Sequence, residues 1–65
     1  MKNRLEELRL ARGVKQEELA EALKVSRQTI SSLENGRYNP SILLAIRLAH
    51  YFETSVEDIF FLEEE

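Results

Sequence analysis

Short helical patterns that stop abruptly are the feature that most constrains this chain. Apolar residues recur every three or four positions on one side of each helix, as at Leu5, Leu8 and Ala11 or at Leu19 and Leu23, which is typical of amphipathic α-helices. No alternating pattern indicates a strand, and no linker or internal repeat separates the segments. The periodicity predicts one all-α domain over residues 1–65, with helices at about 2–12, 16–23, 27–35, 41–52 and 56–62.

Glycine and serine residues mark the ends of the middle helices. Gly13 and Gly36 stand where a left-handed residue would end helix 1 and helix 3. Ser26 is the predicted N-cap of helix 3, because its hydroxyl can accept a hydrogen bond from a free amide of the next turn. Only residues 24–26 separate helix 2 from helix 3, so a short turn joins these two helices.

The starts of the last two helices each have two candidate caps. Asn39 followed by Pro40 predicts a cap before helix 4, with Ser41 as the alternative. Thr54 and Ser55 each have an acidic residue three positions later, and we favour Ser55 as the cap of helix 5. Residues 63–65 are glutamates, which we expect to form a frayed acidic end.

Composition limits what can stabilise the fold. Hydrophobic residues make up 43% of the chain and charged residues 32%, which is the balance of a folded globular domain. There is no cysteine, and His50 alone cannot build a metal site, so we expect no disulfide, metal or other cofactor. The first residues lack the apolar run of a signal peptide or membrane span, which predicts a cytoplasmic protein.

Charge is unevenly distributed along the chain. The formal net charge is −3. Residues 1–52 carry nine Lys or Arg against six acidic residues, whereas residues 53–65 carry six acidic residues and no basic one. The net negative charge therefore does not exclude a polyanionic partner for the first 52 residues.

Helix 3 has an unusual outward face. On a helical wheel, Ile30 and Leu33 define its buried direction. The opposite side carries three polar but uncharged residues: Gln28, Ser32 and Asn35. Amide and hydroxyl groups are the ones that hydrogen-bond the base edges of DNA. The only acidic residue of this helix, Glu34, falls beside the buried stripe and away from that face.

Several segments taken together resemble a known family. They are residues 16–20 (QEELA), residues 25–37 (VSRQTISSLENGR), and residues 40–41 with 55–58 (PS and SVED). From Leu5 to about Phe60 the chain resembles the phage-repressor-like helix-turn-helix proteins of the Xre, Cro and lambda or 434 repressor type. The resemblance implies a five-helix, lambda-repressor-like DNA-binding domain, in which helices 2 and 3 form the helix-turn-helix and helix 3 enters the major groove.

The resemblance also implies roles for individual residues. It assigns base contacts to Arg27, Gln28 and Ser32. It assigns phosphate or supporting contacts to a second set: Gln16, Ser26, Thr29, Asn35 and Arg37. Arg9 and Glu34 match a partly buried ion pair of the family, and each lies close to the apolar stripe of its own helix. We interpret that pair as architectural.

Two positions depart from the family pattern. Lys15 stands where a Ser or Thr cap for helix 2 is common, so that cap is missing, although a lysine there can still contact a phosphate. Thr54 stands where an apolar residue is usual, which suggests a looser joint between helices 4 and 5.

Helix 4 contains more apolar residues than one buried face can use. The pattern assigns an inner set to the core: Ile42, Ala45, Ala49 and Phe52. It leaves an outward set, extended near the C-terminus: Leu43, Ile46, Tyr51, Phe61 and Leu62. Exposed apolar patches often mark partner surfaces, so we interpret the outward set as a homodimer surface. The alternative is that these residues thicken a small core.

The sequence therefore predicts a homodimeric, sequence-specific regulator, a repressor, that binds double-stranded DNA. No membrane and no small-molecule ligand are expected as partners. The alternative is a protein-interaction module, antitoxin-like or an adaptor, that uses the apolar surface of helix 4. An enzyme is the remote third choice, because no nucleophile in the chain is paired with a base.

Overall fold

The architecture comes from a computed structural model, which describes residues 2–62. These residues form α1 (Leu5–Ala11), α2 (Gln16–Leu23), α3 (Arg27–Glu34), α4 (Ile42–Tyr51) and α5 (Val56–Ile59), flanked by strands β1 (Lys2–Asn3) and β2 (Phe60–Phe61). The bounds of α2 coincide with those predicted, and α3 and α4 differ from prediction by at most one residue at either end. The expected acidic end at residues 63–65 lies outside the described residues.

Four helices end in the same backbone motif. One or two residues after the helix end, φ is positive, at each of Gly13 (68°), Lys24 (60°), Gly36 (74°) and Glu53 (56°). In each case the following N–H donates to a carbonyl five residues earlier, at 2.9 to 3.1 Å. This pattern satisfies carbonyls that the helix itself leaves free. Glycine signals two of these ends in the sequence, whereas Lys24 and Glu53 reach the left-handed region without one.

Three helices begin at a serine cap. The hydroxyl of Ser26, Ser41 or Ser55 accepts a hydrogen bond from the N–H three residues later, at 3.0, 3.1 and 3.2 Å respectively. Ser26 and Ser55 are the caps favoured by the sequence. At α4 the alternative is correct, because Ser41 rather than Asn39 caps the helix.

The expectation of no strand is wrong, and so are two helix ends. β1 pairs antiparallel with β2, with Lys2 opposite Phe61 and Asn3 opposite Phe60. The side-chain Oδ1 of Asn3 accepts from the N–H of Leu5 at 3.0 Å, so α1 begins only after this turn. Phe60 is extended, and α5 therefore ends at residue 59 instead of reaching residue 62. Two-residue strands are too short to show alternation in a sequence.

The core is built from every helix. Its fully buried members are Leu5, Leu19, Ile30, Leu33, Leu48 and Ile59. The α2–α3 pair packs most extensively, and α1 and α4 also pack against this pair. The helix-turn-helix is therefore held on one side by the rest of the domain.

Two predicted inward positions are wrong. Ala11 is exposed, because the buried side of α1 runs through Leu5 and Arg9. Ile42 is 80% exposed, because α4 buries Leu44 instead, two residues later. Residues two apart on a helix point to nearly opposite sides, so both could not be buried.

The joint between α4 and α5 is not loose. Thr54 Oγ1 donates to Asp58 Oδ2 at 2.8 Å, which ties the turn to the start of α5. This bond, first among several causes, lowers the pKa of Asp58 below its ordinary value. Threonine therefore replaces apolar packing at this position with a hydrogen bond.

Candidate nucleic-acid interface

The outward face of α3 is where the sequence places it. Ile30 and Leu33 are completely buried, which fixes the rotation of the helix. On the other side, Gln28 and Asn35 are exposed and Ser32 is half-buried. The amide and hydroxyl groups therefore remain accessible to a partner.

An open groove runs along this face of α3. We call it the α3 groove, and its lining residues are Ser26, Gln28, Thr29, Ser32, Arg37 and Tyr38. It brings together two of the three predicted base-contacting residues. The third, Arg27, is exposed but does not line the groove. Lys15, Gln16 and Asn35 also lie outside it.

The chain after α3 forms one wall of the α3 groove. Gly36 reverses the chain direction with φ 74°, and the N–H of Arg37 donates to the carbonyl of Ser32 at 3.1 Å. Arg37 and Tyr38 are thereby placed beside α3. Tyr38 was not among the predicted site residues. Its only sequence signal is an aromatic side chain within a polar stretch that follows a helix stop.

Ser26 and Thr29 are fixed by each other at the start of α3. Ser26 Oγ accepts from the Thr29 backbone N–H at 3.0 Å and lies 2.8 Å from Thr29 Oγ1. Because one hydroxyl donates to the other, one hydroxyl hydrogen is still free for an external acceptor. Their capping role and their predicted role in DNA contact are therefore compatible.

A buried ion pair anchors α3 from behind. Arg9 Nε donates to Glu34 Oε2 at 2.6 Å and Arg9 Nη2 to Glu34 Oε1 at 3.2 Å, with side chains only 9% and 3% exposed. Arg9 Nη1 also donates to the Val14 carbonyl at 2.8 Å. The hydrogen bond to Glu34 is the main cause that raises the pKa of Arg9. Since its charge is matched here, Glu34 adds little repulsion toward an anionic partner on the opposite face.

Gln16 extends this network to α2. Its Nε2 donates to Glu34 Oε1 at 2.9 Å, so the start of α2 is tied to the end of α3. Lys15, which precedes it, has no acceptor with which to cap α2. The carboxylate of Glu18 instead accepts from the Lys15 backbone N–H at 2.8 Å, which satisfies the residue before the helix. The Lys15 side chain stays exposed.

The basic residues divide into two groups. Arg4 pairs with Glu7 at 3.3 Å, and Arg12 lies 3.8 Å from Glu53 while donating to two carbonyls at the end of α4. Within residues 2–62, by contrast, no ion pair involves three further exposed cations, Lys15, Arg27 and Arg37. These three are available to phosphate groups.

A second exposed surface has the opposite character. Ile42, Leu43 and Ile46 of α4 are exposed, and we call them the α4 patch. An apolar depression adjoins the patch, lined by Asn39, Pro40, Ile42, Ala45, Ile46, Val56 and Phe60. Phe61 and Leu62 are exposed but do not line it. Tyr51 is half-buried, with its ring packed edge-on against Phe52 at 4.9 Å.

Residues 2–62 contain no group of three or more His, Cys, Asp or Glu residues arranged to hold a metal ion. No helix in that part of the chain has the length and hydropathy needed to cross a bilayer.

Comparisons with known proteins agree with this geometry. Residues 5–59 match the family described as helix-turn-helix. The chain is 48% identical over its whole length to the HTH-type transcriptional regulator YgzD of Bacillus subtilis, covering 98% of that protein. It is 46% identical to an HTH-type transcriptional regulator of Methanocaldococcus jannaschii, with coverage of 100% of this chain and 98% of that protein.

Solved structures show the same fold. The restriction-modification controller protein C.AhdI of Aeromonas hydrophila superposes with a TM-score of 0.78 at 33% identity, over 88% of this chain and 86% of that one. The clp gene regulator ClgR of Corynebacterium glutamicum gives 0.75 at 41% identity, over 83% of this chain and 57% of that one. The chain therefore belongs to the Xre-type helix-turn-helix family of DNA-binding transcriptional regulators, and not to a class of enzymes.

Proposed function

We propose that the protein is a cytoplasmic repressor that binds a pseudo-palindromic operator as a homodimer, with α3 of each copy in the major groove. The α3 groove is the observation that carries this proposal. It offers amide and hydroxyl groups with an unpaired guanidinium on its wall, which is the combination that reads bases and holds phosphates.

Base reading rests on three side chains. The amide of Gln28 suits the N6 and N7 edge of adenine, and the guanidinium of Arg27 suits the O6 and N7 edge of guanine. The Ser32 hydroxyl, further along the groove, can pair with either kind of edge. Their positions on one anchored helix keep their spacing constant, which sequence discrimination requires.

Phosphate contacts come from the edges of the site. The proposed donors are Lys15, Arg37 and the free hydroxyl hydrogen of the Ser26–Thr29 pair, with Gln16 and Asn35 in supporting positions. Few of these are cationic, so a single copy should bind weakly. Two copies on one operator double the number of contacts.

The α4 patch is the surface that joins the two copies. Burying exposed isoleucine and leucine side chains is favourable, by about 25 cal/mol per Å² of apolar area. A two-fold dimer of this kind needs its two α3 helices on half-sites whose centres lie about 34–36 Å apart. A dimer bound in this way excludes other proteins from the operator, which is the basis for proposing repression.

Selection of bound duplexes from a random pool tests the operator. We expect enriched sequences to contain two inverted half-sites one helical turn apart. Enrichment of a single, asymmetric half-site would contradict the dimeric arrangement. Absence of any enrichment would contradict sequence-specific binding.

The sedimentation coefficient of the protein in solution tests the dimer surface. Leu43→Glu should shift the sedimentation coefficient toward that of the monomer, because a carboxylate cannot be buried in the apolar interface. Leu10→Glu is a matched control, since Leu10 on α1 is 61% exposed and Leu43 is 62% exposed. Equal dimer content in the two variants would place the interface elsewhere.

The α4 patch also supports a second candidate function, that of an adaptor which binds another protein. A salt titration with random duplex DNA separates the two functions, because phosphate contacts strengthen as salt falls. Measurable affinity at low salt favours the operator-binding protein. No affinity at any salt concentration favours the adaptor.

A further inference from the structure

Tyr38 lies on the wall of the α3 groove and outside the hydrophobic core. Its side chain is 48% exposed, and the residue follows Arg37 on the segment that runs beside α3. Across the described residues its hydroxyl makes no hydrogen bond. The ring is not among the buried residues or the partly buried ones packed against the core. Neither the packing of the domain nor its internal hydrogen bonds therefore accounts for a tyrosine at this position.

The surroundings of Tyr38 suit an anionic partner. The lining of the groove consists of hydroxyl, amide and guanidinium side chains, with no carboxylate among them. A phenol carries one O–H donor. In DNA complexes, tyrosine is one of the side chains that donate to phosphate oxygens.

The position favours phosphate over a base. Tyr38 lies beyond the end of α3, whereas base edges are contacted mainly by residues of the recognition helix itself. Stacking of the ring on a base would need an unstacked base, and a duplex does not provide one. The neighbouring Arg37 already supplies a cation at the same wall.

We propose that Tyr38 is a further DNA-contacting residue, whose hydroxyl donates a hydrogen bond to a backbone phosphate at the edge of each half-site. This inference rests on the proposed function, because it needs α3 in the major groove. Tyr38 supplies affinity without supplying charge. It therefore differs from Arg37, whose contact releases a counterion from the DNA.

The difference between these two residues defines the test. Tyr38→Phe removes one hydrogen bond to a charged group from each copy and should weaken binding about tenfold for each copy bound. The loss should be equal for selected and random duplexes, and the slope of log K against log salt should not change. Arg37→Ala should weaken binding and also make that slope shallower by about 1 for each copy of the protein.

The experiment measures fluorescence anisotropy of labelled duplexes at several salt concentrations. Leu10→Ala is the control, because Leu10 is an exposed residue of α1 that lies outside the α3 groove and outside the outward apolar set. Dimer content is measured for both variants by light scattering. Thermal melting confirms that both variants are folded.

The outcomes separate the two proposals. If the wild-type protein binds DNA and Tyr38→Phe binds it equally well, the Tyr38 inference is wrong, whereas the proposed function stands. A loss confined to the selected duplex would overturn the phosphate assignment in favour of a base contact. If the wild-type protein bound no duplex, the proposed function would fail, and the inference with it. The expected result is an equal loss of affinity for both duplexes, with no change in the slope of log K against log salt.

Discussion

α3 and α4 are built in the same way but present opposite chemistry to solvent. Each begins at a serine whose hydroxyl accepts from the N–H three residues later, Ser26 in α3 and Ser41 in α4. Each ends at a residue with positive φ, Gly36 or Glu53. Each also buries aliphatic side chains on its inner side. The outward side of α3 carries the uncharged polar residues Gln28, Ser32 and Asn35, whereas α4 exposes the aliphatic residues of the α4 patch.

The comparison shows which residues are free to carry function. Caps, stops and inner side chains are constrained by the fold, because each satisfies a backbone group or fills the core. The outward residues are not constrained in this way. An uncharged polar face suits base edges, and an exposed aliphatic face suits a protein partner. The same type of helix therefore serves two kinds of recognition in one domain.

The largest effect should come from releasing α3 from its anchor. Glu34→Ala leaves Arg9 buried without a partner and removes the acceptor for Gln16. We expect the free energy of unfolding to fall by about 3 kcal/mol, the low end for buried pairs, because this pair lies in a small domain. Urea denaturation measures the loss. Glu21→Ala, an exposed glutamate on α2, is the control and should change stability by less than about 0.5 kcal/mol.

A loss below about 1 kcal/mol for Glu34→Ala would show that the pair behaves like an exposed one. The anchoring of α3 would then depend on Ile30 and Leu33 alone. In that case α3 and α4 would be held to the domain in the same way, through apolar packing.

A smaller effect, confined to binding, should come from the outward face of α3. Gln28→Ala should cost about 1–3 kcal/mol at one base position of each half-site and relax the preference there. The free energy of unfolding should stay within about 0.5 kcal/mol of wild type, because Gln28 is exposed. Competition between the selected duplex and its single-base variants measures the preference. Unchanged preference would mean that Gln28 does not read a base.

Gaining a glycine at the end of α4 and losing one at the end of α1 should change stability in opposite directions. Glu53 holds φ 56° after α4, so Glu53→Gly should raise the free energy of unfolding by about 1 kcal/mol. The exposed Arg12–Glu53 pair, at 3.8 Å, offsets little of this gain. Gly13→Ala is the reverse change, at a position where a Cβ meets no atom within 4 Å.

Gly13→Ala should therefore cost about 1 kcal/mol through backbone strain alone. Thermal unfolding of both variants gives the comparison. A melting temperature for Glu53→Gly at or below that of wild type would show that the side chain of Glu53 stabilises the end of α4 by more than its strain costs.

The smallest effect concerns the turn after α4. Thr54→Val removes the hydrogen bond to Asp58 and should raise the pKa of Asp58 toward its ordinary value. Because folding lowers this pKa, the carboxylate stabilises the protein above about pH 4, and the contribution is lost as the pH falls through the folded pKa. The stability difference between wild type and variant should therefore vanish in acid. NMR titration of the Asp58 carboxyl measures the shift, and an unchanged pKa would contradict the role of Thr54.

Much of the fold could be predicted because its determinants are local. Serine caps and glycine stops act through hydrogen bonds within a few residues, so Ser26, Gly13 and Gly36 reveal their roles in the sequence itself. The direction of α3 could be predicted too. Only Ile30 and Leu33 compete to be buried on that helix, and the two lie on one side.

Tertiary structure alone decided the remaining features. α4 is apolar on nearly every side, so only packing against α2 and α5 could determine that Leu44 is buried and Ile42 exposed. The β1–β2 pair joins residues almost sixty positions apart, which no local pattern records. The place of Tyr38 beside α3 depends on how the chain turns back after Gly36. The sequence therefore determined where helices begin and end, since those signals are local, and contacts between distant segments determined which surfaces remained exposed.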